Sequence, residues 1–152
     1  MKKTLFLVLS LTLISGICAA VLASVDSLTR DAIKSTAEKK REQARTAVLC
    51  GERGYTAEGR SKNGYGGEIV LMVGFKEDKR TVISYTVLQA NETPGLGMKL
   101  KTPEFASQFN GRDGAALAVK KDGGEIEAIT SATITSRAVC EAIADAQRHL
   151  ED

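Results

Sequence analysis

The chain divides first by where its apolar residues fall. Thr4 to Val25 is an uncharged run dominated by Leu, Ile, Val and Ala, preceded only by Lys2 and Lys3. That is about the length a helix needs to cross a bilayer. The apolar region of a secretory leader is shorter, roughly 7 to 15 residues. The small-residue exit Ala20-Val21-Leu22-Ala23 comes only at the end of the run. The pattern therefore predicts a retained transmembrane anchor over residues 1–25. Ile17, immediately before Cys18, is bulkier than the small residue lipoprotein processing needs there. With Lys2 and Lys3 on the short flank, the N-terminus is expected in the cytoplasm and everything after Val25 outside it.

From Asp26 to Ala47 the pattern turns polar, with Arg30, Lys34, Glu38, Arg41 and Arg45 and neither Gly nor Pro. A helix leaving the membrane is expected to continue as a stalk over residues 26–50, ended by Gly51 and Gly54. Leu28 and Ala32 make too thin an apolar stripe for a buried face. A solvated stalk is the simpler expectation, and contact with a partner subunit is the alternative.

A folded domain is expected over residues 51–152, beginning near Tyr55. Asn63 to Gly67 reads as a turn, and Ile69 to Val73 as a short strand. Thr81 to Leu88 reads as a second strand, paired with the first in an antiparallel hairpin. Thr102-Pro103 has the form of an N-cap and N1 proline. Phe105 and Phe109 lie one turn apart and Gly111 is a stop, so a short helix belongs there. Ala116 to Val119 and Glu125 to Ile129 flank the Asp122-Gly123-Gly124 turn and read as a second hairpin. Val139, Ala142, Ile143, Ala146 and Leu150 fall at helical spacing, which predicts a helix over 137–150. The fold class is α+β: one N-terminal membrane helix and stalk, then a small domain of antiparallel hairpins with a C-terminal helix.

Composition narrows the chemistry. A length of 152 residues suits one small domain plus an anchor. The net charge of +2, with no basic tract, argues against nucleic acid as a partner. Cys18, Cys50 and Cys140 lack the close pairing that protein-bound metal centres use, so no metal site is expected. Free thiols are the default, with a Cys50–Cys140 disulfide as the alternative. His149, the lone histidine, stands near a helix end as a surface residue and suggests no acid–base catalyst.

Two stretches remain that neither core nor turn explains fully. Ile129 to Arg137 concentrates Thr130, Ser131, Thr133, Thr135 and Ser136 just before the C-terminal helix. Thr135 or Ser136 would be its N-cap, and a helix N-terminus favours a phosphate, which would put Thr133 beside an anion site. From the residues alone, plain capping and turn formation are the simpler account of such a cluster. Asn91 to Lys99 is long for a simple connection. Pro94 fixes one backbone angle, and Gly95 and Gly97 allow close approach of a planar ligand. Gly95-Leu96-Gly97 is no dinucleotide fingerprint, since the third glycine and the strand-to-helix context are missing.

The residues in these stretches resemble a known family. Thr130-Ser131-Ala132-Thr133 is similar to the Ser/Thr-Gly-Ala-Thr signature of the covalent flavin-binding domain found in the G subunit of Rnf-type ferredoxin:NAD+ oxidoreductases. The same domain occurs in the C subunit of the sodium-pumping NADH:quinone reductase. Glu92-Thr93-Pro94-Gly95-Leu96-Gly97 matches the family's other hallmark, and the similarity also takes in Gly64 to Gly67 and Ala118 to Gly124. The compact length and the Lys-Lys-Asp-Gly-Gly run look more like the Rnf G subunit.

The resemblance implies that Thr133 is joined to the phosphate of FMN by a phosphoester. It implies that Glu92, Thr93, Pro94, Gly95, Leu96 and Gly97 line the flavin, and that Thr130, Ser131, Ala132 and Thr135 surround the attachment point. Ser131 stands where glycine is usual. The implied role is a non-autonomous electron-transfer subunit of a membrane complex coupling ferredoxin:NAD+ electron transfer to ion translocation. Other membrane subunits and a flavin transferase would be its partners. A stand-alone membrane-anchored extracytoplasmic flavoprotein would use the same motifs, whereas a non-redox scaffold would need no hydroxyl at 133.

Overall fold

The computed structural model describes residues 2–151; Met1 and Asp152, the outer limits of the expected anchor and domain, lie outside the described residues. The chain forms two compact units, one up to Lys39 and one from Lys40 onward. Helix α1 (Lys2–Val48) makes up the first and ends in the second. By length and composition it is long and apolar enough to cross a membrane. Leu11, Leu13, Ile14 and Leu22 are exposed along it, which water would disfavour and an apolar surrounding would not. The hydroxyls of Ser10 and Ser24 donate to the Leu7 and Ala20 carbonyls at 3.0 and 2.8 Å, satisfying polar groups within the apolar run.

In the second unit, strands β1 (Tyr55–Gly64), β2 (Gly67–Phe75) and β3 (Val82–Gln89) form an antiparallel sheet in the order β1-β2-β3. The β2–β3 hairpin is the one the apolar runs predict. Strand β1 gives no such signal, because its inward positions are Ala57, Gly59 and Ser61. Those positions are small because the C-terminal helix α3 (Thr133–Glu151) lies directly on them. A side chain on Gly59 would overlap the Ala142 carbonyl and the Ala146 methyl.

The central strand is buried on both faces. Ile69, Leu71, Val73 and Phe75 point into the main core with Val82, Leu100, Phe109, Val139 and Ile143. On the other face Met72 meets Ala44, Val48 and Leu88. Lys40 Nζ donates to the Leu88 carbonyl at 2.6 Å and Ser84 Oγ to the Val48 carbonyl at 2.9 Å, fixing residues 40–48 of α1 to the sheet. Tyr85 donates to the Leu100 carbonyl at 2.6 Å. Burial pushes the Cys140 thiol up to about 12, so it stays protonated in the core, and all three cysteines are free.

Three expectations need correction. The short helix α2 (Pro103–Ala106) forms with Pro103 at its start, but Thr102 Oγ1 donates to the Lys99 carbonyl instead of capping it. The second hairpin is absent. Residues 114–116 and 120–122 are 3₁₀ turns, joined to the following segment by a single parallel bridge between Val119 and Ile126. Val119, Ile126 and Ile129 enter the core singly while their neighbours stay at or near the surface, a plug-like spacing and not strand alternation. Helix α3 starts at Thr133, four residues earlier than its apolar stripe indicates. Its first turn is buried through hydrogen-bonded hydroxyls, which a hydropathy pattern reads as a cap.

Candidate functional site

Four segments meet at the start of α3, and a buried carboxylate joins three of them. Glu92 is 6% exposed. Its Oε1 accepts from the Gly66 N–H in the β1–β2 turn at 3.3 Å, and its Oε2 accepts from Thr135 Oγ1 at 2.9 Å. A buried carboxyl requires such donors, so loop, turn and helix are held in one arrangement. Gly97 packs beneath it. A Cβ there would lie 2.5 Å from Glu92 Oε2 and 3.0 Å from Thr135 Oγ1, so the glycine serves close approach.

Neither Thr135 nor Ser136 is the helix cap. The Ser136 N–H donates to the Ala132 carbonyl at 3.0 Å, which makes Ala132 the cap position. The Ser136 hydroxyl is fully buried, donating to the same carbonyl at 3.0 Å and accepting from the Ile129 N–H at 2.9 Å. Before it, Ser131 adopts a left-handed conformation at φ +63°. That is a backbone region glycine enters at no steric cost, so the position suits a glycine better than the serine it holds.

Thr133 is the first residue of α3 and half-buried. It lines a cleft of about 500 Å³ with Tyr65, Thr93, Leu96 and Ile134. Tyr65, Leu96 and Ile134 are 72, 42 and 48% exposed, a grouping of large apolar side chains around one opening that marks a ligand or contact surface. The N–H groups of the first helical turn, which lack intrahelical partners, start at the same point. On the polar side, Lys121 Nζ donates to Thr133 Oγ1 at 3.3 Å.

The turn that carries Lys121 is tied to the helix. Arg137 holds Asp122 through two bonds, Nε to Oδ2 at 2.6 Å and Nη2 to Oδ1 at 2.7 Å. The guanidinium keeps the Asp122 carboxyl below the usual range, and the carboxylate raises Arg137 in turn. Lys120 pairs with Glu127 and lowers that carboxyl likewise.

The site residues expected from the sequence thus separate by position. Thr93, Leu96, Ser131, Ala132, Thr133 and Thr135 line the cleft. Glu92 and Gly97 support it from behind, and Pro94 and Gly95 form an exposed turn of the loop. Thr130 is exposed and borders a separate cavity of about 210 Å³ with Lys99, Phe105 and Gln108. Tyr65, Ile134 and Lys121 enter the site without having been expected there. The available signals were the aromatic within the Gly64 to Gly67 turn and, for Lys121, the Lys-Lys-Asp-Gly-Gly run.

The FMN-binding domain family matches residues 64–148. The chain is similar to the G subunit of the ion-translocating oxidoreductase complex of Methanosarcina acetivorans, with 41% identity over 90 residues, 59% of this chain and 47% of that protein. It is also similar to the G subunit of the proton-translocating ferredoxin:NAD(+) oxidoreductase complex of Clostridium ljungdahlii, with 41% identity over 95 residues, 60% of this chain and 50% of that protein. The chain spans about half the length of the curated relatives it matches. Among solved structures, the C subunit of the Na(+)-translocating NADH-quinone reductase from Parabacteroides distasonis shares the fold. Its TM-score is 0.51 and its identity 24%, covering 63% of this chain and 53% of that one. With both sequence motifs inside a family match that takes in more than half of its length, this chain belongs to the FMN-binding domain family.

Proposed function

We propose that this chain is the FMN-carrying electron-transfer subunit of a membrane complex that couples ferredoxin:NAD+ electron transfer to ion translocation, with FMN held covalently by a phosphoester on Thr133 Oγ1. The observation that carries the reading is how the hydroxyls between 130 and 136 are disposed. Thr135 and Ser136 are buried against a carboxylate and a carbonyl, and Thr130 borders another cavity. Ser131 also borders the cleft but lies in the left-handed turn before the helix. Thr133 faces the cleft with an ammonium as its partner.

The cleft suits the group. Its volume of about 500 Å³ lies in the range of small-molecule sites. Tyr65, Leu96 and Ile134 offer apolar surface to a planar ring, while Thr133, Lys121 and the first turn of α3 offer a polar end for a phosphate. FMN bound there supplies two-electron and one-electron transfer at a single centre. The chain's residues hold, orient and partly shield it. Glu92 keeps the 92–97 loop against α3, and Leu96 at the loop's tip limits access of water. Attachment by a covalent bond suits a domain outside the cytoplasm, where a dissociated cofactor would be lost.

The apolar helix α1 and the similarity to subunits of ion-translocating complexes support the remaining parts of the reading. Residues 1–25 anchor the chain as a single-pass helix with its N-terminus in the cytoplasm, residues 26–50 form the stalk, whose part from Lys40 packs on the domain's sheet, and residues 51–152 hold the flavin outside. Other membrane subunits are its electron partners, and a flavin transferase matures it. In the full chain co-expressed with such a transferase, flavin fluorescence should persist after denaturation, and a reporter active only in the cytoplasm, fused after Asp152, should stay silent. A colourless denatured chain contradicts the covalent reading, and an active reporter contradicts the topology.

A further inference from the structure

The turn at 120–122 presents two lysines and an aspartate next to the start of α3, and their partners differ. Lys120 is committed to Glu127, and Asp122 to Arg137 by two hydrogen bonds. Lys121 meets no carboxylate among its described partners; its ammonium points at Thr133 Oγ1. Arg137 sits one helical turn beyond Thr133 on α3, so the Asp122–Arg137 bridge fastens the turn to the helix that carries the threonine. The turn is fixed from its other side as well. The Lys120 N–H donates to the Ile126 carbonyl at 2.8 Å, and Gly123, at φ +84°, closes it. Both acidic groups thus have a bonded cation, and Lys121 adds only a through-space attraction to Asp122. Of the two lysines of the turn, Lys121 is the one whose ammonium reaches the hydroxyl.

Resting on the covalent reading of Thr133, we propose that Lys121 is the positioning residue and counter-ion of the phosphodiester carried there. A phosphodiester linking Thr133 to a flavin bears one negative charge on its two non-bridging oxygens. Lys121 Nζ, already within hydrogen-bond reach of the bridging oxygen, lies beside them and forms a charge-assisted bond. The open N–H groups at the start of α3 act on the same charge from the helix side. Asp122, whose oxygens are taken up by two bonds from Arg137, leaves the Lys121 ammonium directed at the hydroxyl. The surface ion pairs around the turn therefore serve to hold one cation in place, a role their small individual contribution to stability does not reveal.

The test compares the flavinylated and the unmodified full chain, in detergent, for the wild type, Lys121→Gln and Lys121→Arg. Each variant is referenced to its own unmodified form, which removes any effect of Lys121 on the fold itself. Flavinylation should raise the melting temperature of the wild type. Lys121→Gln should lose at least about half of that rise at low salt, Lys121→Arg should retain it, and the difference should shrink at high salt as screening takes over. Equal rises in the wild type and Lys121→Gln, equal losses in the Gln and Arg variants, or a loss indifferent to salt would each overturn the inference. Intact mass separates this from the reading beneath it. A wild-type chain that gains no FMN mass on Thr133 brings down both, whereas full mass with unaltered melting differences brings down the role of Lys121 alone.

Discussion

Thr133 and Thr135 stand two residues apart on one helix, roughly 200° around its axis, and both border the cleft, yet they differ in burial and in partner. Thr135 is 1% exposed and donates to a buried carboxylate, at the joint between helix, loop and turn. Thr133 is half-buried, opens on an apolar cleft and accepts from an ammonium. Residue type does not distinguish them; the phase of the helix does. A run rich in hydroxyls is therefore several different things at once: a left-handed turn at Ser131, a presented hydroxyl at Thr133, and three structural hydrogen bonds at Thr135 and Ser136.

Exchanging each threonine for the nearly isosteric valine should separate the two roles most sharply. Thr133→Val should abolish covalent FMN outright, read by in-gel fluorescence, and alter the stability of the unmodified chain by less than about 0.5 kcal/mol, as for other partly exposed sites. Thr135→Val should still accept FMN, yet lose about 1–3 kcal/mol in denaturant melts because Glu92 Oε2 is left without its donor. If both variants lost flavin while keeping their stability, the distinction between presented and structural hydroxyls would collapse.

A somewhat smaller effect is expected behind the cleft. Gly97→Val puts side-chain atoms against Glu92 and Thr135, and overpacking of this sort costs about 1–3 kcal/mol. Because it displaces the loop and not the attachment residue, FMN should still appear in the mass spectrum while the flavin's absorption maximum shifts. An unperturbed spectrum and unchanged stability would make the 92–97 loop an ordinary connection. The smallest effect belongs to Ser131→Gly. Relief of the left-handed serine, offset by the greater chain entropy of glycine, should stabilise the domain by up to about 1 kcal/mol. A loss of stability there would mean that the serine side chain makes contacts that outweigh its backbone conformation.

Much of this was legible in the sequence, for reasons that can be stated residue by residue. The β2–β3 hairpin announces itself through Ile69 to Val73 and Val82 to Leu88, because both strands bury large β-branched and aliphatic side chains. The body of α3 does so through Val139, Ile143 and Ala146. Strand β1 was hidden because the helix packs so closely that only Ala57, Gly59 and Ser61 fit beneath it. The first turn of α3 was misplaced because its buried side chains are hydroxyls with internal partners, indistinguishable from a cap by pattern alone. The hairpin expected around Gly123 failed because Val119 and Ile126 reach the core as isolated plugs. In the site, the two motifs named the cleft and its floor, while Lys121 lay outside them. Its contact with Thr133 depends on a fold that brings residues 12 apart in the sequence together.

The central claim is that one hydroxyl among neighbours is presented for modification, and peptide mapping by mass spectrometry of the full chain, co-expressed with a flavin transferase, addresses it directly. The account predicts a single peptide spanning 129–137 that carries one FMN, with fragmentation placing the added mass on Thr133. FMN mass on Thr130, Ser131 or Thr135, or an unmodified peptide from a chain that nevertheless binds flavin, would contradict it.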